Sequence, residues 1–352
     1  MPKKQILNFI ITTILVILSI TSCEKNANKT NNKKETVKIV KKIKKAEFIL
    51  KFSHVVSEDT PKGKAARFFE NRLETLSKGR IDVQVYPNSE LYKDSEVLKA
   101  IKSNSVQMAC PSFSKFSKTV PQLALFDLPF LFKDMNHLHK VQDSKVGEKL
   151  KKMVEADGVV ALSFWDNSFK QLTSSKNSLV NPADIKGQKF RIMNSEVLKA
   201  QFEILGAKPL VMPFSKVFMG LKEGVIDGQE NTISNIYTKK FYTVQKYLTI
   251  SNHGYLGYLV VMSKEFYNSL PTDLQKNVKQ AIKEATEKER IYAGDFEIIQ
   301  LTKIKHAGTI EITELSKEQI NQWREAVKDI YKQFYDKNKI GRILIQDVTD
   351  LR

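Results

Sequence analysis

The sequence predicts an α/β protein made of two strand–helix units and a long connecting C-terminal helix. Three observations carry this. A strand–helix–strand–helix–strand order runs from about residue 47 to 110, and a similar order returns between 189 and 228. Such an order argues for parallel sheet with helical crossovers. The last third of the chain has helical periodicity and helix-start signals.

The elements follow in order. Residues 47–52 read as the first strand. Asp59 and Thr60 offer capping oxygens, Pro61 suits a first helical turn and Gly79 an end. Between them Ala65, Phe69, Leu73 and Leu76 recur at helical spacing. Ile81, Val83 and Val85 alternate with polar residues, which predicts a strand. Residues 95–102 predict a short helix and 106–110 another strand. Residues 158–165 read as a strand joining the two units, and 253–262 as one returning. The second unit has strands at 189–193, 208–212 and 225–228. Its helices cover 196–205, ended by Gly206, and a segment capped by Ser215 and ended near Gly224. Thr272 with Gln275, and Ser316 with Gln319, have capping-box spacing. A helix over 273–305 is long for one domain and suits a connector packed on both units. A last helix is expected over 318–335.

The N-terminus reads as an export signal. Lys3 and Lys4 precede an apolar run from Ile6 to Ile20, too short for a bilayer span of about 20 apolar residues. Ile20-Thr21-Ser22-Cys23 then resembles a bacterial lipobox, so cleavage before Cys23 and lipidation of its thiol are expected. The competing reading is an ordinary signal peptide with an incidental cysteine. Residues 23–45 are rich in Lys and Asn and read as a flexible tether, reaching on the order of 25 Å.

Composition excludes little but narrows much. Apolar content of 41% and charged content of 27% are ordinary for a globular chain. The only other cysteine is Cys110, so no disulfide framework is expected. The net charge of +18 raises a nucleic-acid reading. The lysines are dispersed, no nucleic-acid motif occurs, and an export signal places the chain away from the genome. A basic surface does favour an anionic membrane.

Catalytic signatures are missing: there is no P-loop, no G-x-S-x-G, no H-E-x-x-H and no C-x-x-C. His137 and His139 form an H-x-H pair, but they stand at a helix start with no ligand cluster beside them. No enzyme, cofactor or metal site is expected. In open α/β sheets ligands sit beyond the carboxyl ends of strands. Three polar groups fall at such ends: Arg191, Asn231 and Lys170. Arginine offers a planar fork that grips carboxylates in bidentate fashion. On residue type alone, an arginine on a strand pairs with a surface Asp or Glu more often than it binds a ligand.

Three long segments sharpen this. They are 165–170 (WDNSFK), 182–192 (PADIKGQKFRI), and 227–231 (DGQEN) followed by 241–248 (FYTVQKYL). They resemble the TRAP transporter solute-binding proteins of the DctP type, and the resemblance spans about residues 47–335. It implies a two-lobed, periplasmic-binding-protein-like receptor. The expected lobes are 46–166 with 256–296, and 167–255 with 297–352. It implies that Arg191 makes the principal salt bridge to a ligand carboxylate. Asn231 also contacts it, Lys170 adds a second charge where many members have Arg, and Phe214 walls the pocket. Segments 53–56, 59–64, 165–167 and 252–258 look like the C4-dicarboxylate subgroup, with succinate, malate and fumarate as candidate ligands. Lys170, or another donor near His54 or Tyr255, would balance the second carboxylate; the competing role for His54 and Tyr255 is packing. The implied partners are the organic acid, the permease subunits in the membrane, and the membrane itself through the lipid. Rival readings keep the fold with a 2-oxo acid, sugar acid or sialic acid as ligand, or make the protein a sensor for a membrane kinase.

Overall fold

The computed structural model describes residues 45–352. The expected leader, the lipidation at Cys23 and all but the end of the tether lie outside the described residues.

In chain order the elements are β1 (Phe48–Ser53), α1 (Pro61–Leu76), β2 (Ile81–Tyr86), α2 (Val97–Lys102), β3 (Met108–Ala109), α3 (Met135–Asp143) and α4 (Lys145–Ala156). They continue with β4 (Val159–Ser174), β5 (Lys189–Ile192), α5 (Glu196–Ile204), β6 (Lys208–Val211), α6 (Val217–Lys222), β7 (Gly228–Asn231) and α7 (Ile233–Thr238). The chain ends in β8 (Tyr247–Ser263), α8 (Lys264–Ser269), α9 (Thr272–Ala307), β9 (Glu311–Glu314), α10 (Lys317–Ala326), α11 (Asp329–Lys337) and α12 (Gly341–Thr349). Among the described residues no helix is long and apolar enough to cross a membrane.

Both expected strand–helix units form with parallel pairing. β1 lies between β2 and β3, and β5 lies between β7 and β6. The order across the sheet is β2-β1-β3-β8-β4-β7-β5-β6, with β9 against the far end of β8. β4 and β8 are antiparallel and run the length of both units, so one ladder joins them. Its register shifts at Ala161/Ser163, Asp166/Ser168 and Lys170/Leu172, and Ser168 has φ +121°. Each shift adds local twist. Helix α9 packs over β4 and α1, as the connector expected from its length.

Local chemistry explains the boundaries. Thr60 caps α1 by accepting from the Gly63 N–H, and Pro61 fills the first turn, where no N–H is needed. Ser316 and Gln319 form the expected reciprocal cap of α10. Several boundaries differ from expectation. Thr272 does not cap α9; Pro271 takes that place, and Gln275 turns back to the carbonyls of Tyr267 and Leu270. The single helix expected over 318–335 divides into α10 and α11 near Val327, and α12 adds a further turn system. The strand expected at 225–228 lies at Gly228–Asn231 instead. Val225 is exposed, while the polar Gln229, Glu230 and Asn231 are buried.

The apolar core forms one large cluster around Phe52, Phe69, Leu125, Trp165, Phe190, Phe202 and Val261. A smaller one gathers Val217, Ile226, Ile233, Phe241 and Ile304.

Candidate functional site

The carboxyl ends of β1, β3, β5 and β7 carry the site. His54 follows β1, Cys110 follows β3, Arg191 is the third residue of β5, and Asn231 ends β7.

Arg191 is held by register. It pairs with Leu210 of β6 on one side and Gln229 of β7 on the other. Its Nε donates to the Met212 carbonyl at 3.0 Å, and among the described residues no acceptor is paired with its two terminal nitrogens. The residue is 3% exposed, and among the described residues no carboxylate lies within salt-bridge distance. Burial lowers its pKa to about 10, against the pull of Glu230 and Asp94. The guanidinium carbon sits 5.9 Å from the Phe214 ring, which also faces Phe241 edge-on. Phe214 lines a cleft of about 120 Å³ with Val55, Asp94, Lys115, Asn194 and Met212.

Asn231 is oriented by its neighbours. Its Oδ1 accepts from the Thr232 backbone N–H at 3.1 Å and from Asn235 Nδ2 at 2.7 Å. Since a backbone N–H can only donate, the amide orientation is fixed and Nδ2 faces away as an available donor. Gly228 begins this strand for steric reasons. A Cβ there would stand 2.3 Å from the Thr173 carbonyl oxygen and 2.6 Å from the Phe190 ring.

Lys170 has a partner within the protein. Its Nζ lies 2.6 Å from Glu230 Oε1, and Glu230 Oε2 lies 3.0 Å from His253 Nε2. Ser251 Oγ is 2.7 Å from His253 Nδ1. Burial keeps His253 toward its neutral form, so Nε2 donates to Glu230 and Nδ1 accepts from Ser251. Burial alone would push Glu230 up, but Lys170 and His253 outweigh it and hold the carboxyl at about 2.

His54 is buried, and neither ring nitrogen makes a hydrogen bond of normal geometry within the protein. Burial, then the nearby Lys62 and Arg67, lower its pKa to about 3, so it is a neutral imidazole. Tyr255 behaves differently. Its hydroxyl donates to Asp166 and accepts from Gln142 Nε2, and its ring packs among Phe113, Phe126, Phe132 and Phe169. Its polar end therefore belongs to an internal network. The H-x-H pair also serves structure. His137 Nε2 meets the Val348 carbonyl at 2.8 Å and His139 Nε2 meets Asp166 at 2.5 Å. No group of described residues is arranged to hold a metal.

Three residues of the site were not picked out by sequence reasoning. Lys62 is 1% exposed, its Nζ 3.0 Å from the Cys110 carbonyl and 3.5 Å from the Tyr258 ring centroid, with no carboxylate partner among the described residues. Burial lowers its pKa. A signal did exist: a lysine in the first turn of a helix opposes the helix dipole. Gly63, the next residue, lets the first turn of α1 pass close to the preceding loop, since a Cβ there would meet the Ser57 carbonyl at 2.5 Å. Asp127 is buried with Oδ2 unpartnered, and burial raises its pKa to about 6 despite Lys170 nearby. Lys115 stands among Asp94, Arg191 and Asp127.

The chain's relatives agree with this architecture. The model of the bacterial extracellular solute-binding proteins, family 7 (DctP), matches residues 52–338. A Rhodobacter capsulatus protein described as the C4-dicarboxylate-binding periplasmic protein DctP is 44% identical over 290 residues, covering 82% of this chain and 87% of that one. A Bacillus subtilis protein described as the C4-dicarboxylate-binding protein DctB is 40% identical over 306 residues, covering 87% of each. A TRAP periplasmic solute-binding protein of Sulfurospirillum deleyianum, solved with bound succinate, superposes with TM-score 0.84 at 50% identity. That match covers 87% of this chain and all of the other.

Proposed function

The chain belongs to the bacterial extracellular solute-binding proteins of family 7, the DctP family, and from that premise we propose that it is the receptor of a TRAP transporter for a C4-dicarboxylate such as succinate, malate or fumarate. The observation that carries this reading is a pair of buried cations, Arg191 and Lys62, that no carboxylate of the described protein neutralises. Leaving a charge buried and unpaired is expensive. A dianion supplies both missing counter-charges. A monocarboxylate leaves Lys62 without one.

Each group then has a role. Arg191 grips one carboxylate, and Asn231 Nδ2 donates to the same ligand. Lys62 and the neutral imidazole of His54 receive the other carboxylate. Lys170 keeps two ammonium protons after Glu230 and lends one to the ligand. Phe214 walls the cleft, while Tyr255 packs among Phe113, Phe126, Phe132 and Phe169 and supports the scaffold. The lobes, 46–166 with 256–296 and 167–255 with 297–352, close by twisting β4 and β8 near Trp165 and His253. Closure expels water and strengthens each ionic contact. It follows ligand because the closed form binds better. A micromolar receptor needs about −8 kcal/mol, which a few charge-assisted bonds in a dry cleft supply. Lipid on Cys23 holds the body at the outer membrane surface, within reach of the permease subunits.

Titration calorimetry of the soluble body with succinate, malate, fumarate, pyruvate and galactonate tests this. Saturable binding of the dicarboxylates is expected. Binding of pyruvate or galactonate with no response to any dicarboxylate would sink the assignment.

A further inference from the structure

The loop after β2 and the helix after β7 meet at the rim of the cleft. Lys239, which caps the C-terminus of α7, donates from Nζ to Asn88 Oδ1 at 2.9 Å. That bond ties the first strand–helix unit to the second. Ser89, next to Asn88, lines the cleft together with Val55 and Phe214. Both ends of the contact are held in place. Asn88 and Ser89 are the central residues of a tight turn, closed by the Glu90 N–H donating to the Pro87 carbonyl at 3.0 Å. Their φ values are +52° and +65°, a conformation that asparagine tolerates and serine rarely adopts. The strain persists because the turn is tied twice to the chain after β1. The Asn88 N–H donates to the Val56 carbonyl at 3.0 Å, and the Ser89 N–H to the His54 carbonyl at 3.1 Å. On the other side, α7 begins just after Asn231, with Thr232 as its N-cap, so Lys239 stands at the far end of the helix that follows the site. Its ammonium also lies 5.6 Å from the centre of the Phe214 ring, the ring that the Arg191 guanidinium approaches at 5.9 Å. Lys239 is half-buried and has no carboxylate partner among the described residues.

We propose that Asn88, Lys239 and Phe214 form a latch across the cleft mouth that sets how fast the bound anion leaves. This rests on the receptor reading and adds to it residues that hold the closed form by gripping each other instead of the ligand. The latch is protein-to-protein, so it is made only when the two units stand together. Each end is joined to one side of the site: the turn hangs on the His54 segment, and Lys239 on the helix that starts after Asn231. The acceptor is a neutral amide at a partly exposed rim, which makes the bond modest. A carboxylate in its place would form an ion pair and hold the units together longer. The amide therefore leaves the latch weak enough to open when the ligand is handed on.

Stopped-flow kinetics of the soluble body with succinate tests this. Lys239→Met is expected to raise koff about three- to tenfold, and so is Asn88→Gly, which keeps the charge and eases the turn. Asn88→Asp sets a carboxylate opposite the ammonium and lowers koff about threefold, an effect that fades with added salt. Asn88→Asp and Lys239→Met both make the rim less positive, so kon falls modestly in each, while koff moves in opposite directions. That opposition marks a latch. If Lys239 only attracted the anion, both variants would raise koff and Asn88→Gly would leave it alone. Thermal melts establish that the variants fold, and any two that do still decide. An unchanged koff in Lys239→Met or Asn88→Gly, or a raised koff in Asn88→Asp, overturns the latch. Failure of the wild type to bind any dicarboxylate sinks the receptor reading instead. The latch is then read in the ligand-free protein, from the distance between spin labels at Lys99→Cys on α2 and Lys222→Cys on α6, both exposed, with Cys110 buried and unlabelled. Asn88→Asp is expected to raise the short-distance fraction above that of Lys239→Met; identical distance distributions in the two overturn it.

Discussion

Lys170 Nζ and Glu230 Oε1 lie 2.6 Å apart with both side chains shut away from solvent. The two charges neutralise one another under the site, and His253 completes the acceptor side of Glu230. Removing one partner leaves a buried charge, so Glu230→Gln is expected to destabilise the fold by about 3–5 kcal/mol. The double variant Lys170→Met, Glu230→Met recovers most of that loss. Chemical denaturation of the wild type and the two variants measures the loss and its recovery. The pH dependence has a definite sign. A carboxyl held at about 2 contributes stability that is full above the ordinary value near 4.5 and is lost as pH falls toward 2.

Arg191 and Lys62 differ in what their removal does to the empty protein. Arg191→Ala is expected to weaken dicarboxylate binding at least about a hundredfold. Lys62→Met weakens succinate binding similarly, yet raises the melting temperature of the ligand-free protein, because it deletes a buried ammonium that lacks a carboxylate partner. Calorimetry with paired thermal melts checks both signs. A Lys62→Met protein that melts lower and binds succinate normally contradicts the assignment.

Asp127 makes binding proton-linked. Its carboxyl is raised to about 6 by burial, so it is mostly ionised at pH 7, and a nearby dianion pushes it higher. Proton uptake on binding between about pH 6 and 7.5 is therefore expected, with affinity rising as pH falls through that window. Fumarate, whose carboxyls are the stronger acids, separates this effect from protonation of the ligand. Calorimetry in buffers of different ionisation enthalpy reads the uptake, and Asp127→Asn removes it.

Two glycines predict opposite outcomes. Gly228→Ala forces a methyl against the Thr173 carbonyl and the Phe190 ring and is expected to destabilise by about 1–3 kcal/mol. At Gly294, inside α9, an added methyl would meet nothing within 4 Å. Gly294→Ala is expected to stabilise by about 0.5–1 kcal/mol through helix propensity. Thermal melts of the two single variants provide the comparison.

Much of the scaffold was legible because apolar periodicity and caps act locally. Thr60, Pro61 and the Ala65–Phe69–Leu73 stripe mark α1 to within a residue of its start. The expected position of β7 is displaced because its buried residues are polar; Gln229, Glu230 and Asn231 carry no hydrophobic signal, whereas the exposed Val225 does. β4 runs on past Trp165 for the same reason, through Asp166, Asn167 and Lys170. Arg191 was recognisable as a strand-end cation, but its lack of a carboxylate partner is a tertiary fact. The Lys170–Glu230 pair spans 60 residues of sequence, and no spacing rule connects the two. Lys62 was visible only as a cation at the wrong end of a helix.

β4 and β8 pass through both units as one pair, with register shifts between Ala161 and Leu172. A joint of this kind is a flexure and not a pivot. It has no sliding surfaces, stores elastic strain when bent, and has a resting angle set by its own twist. In the proposed closure, travel is limited by how far the ladder can be wound and by α9, which packs along β4, so the amplitude is written into the scaffold before any ligand arrives.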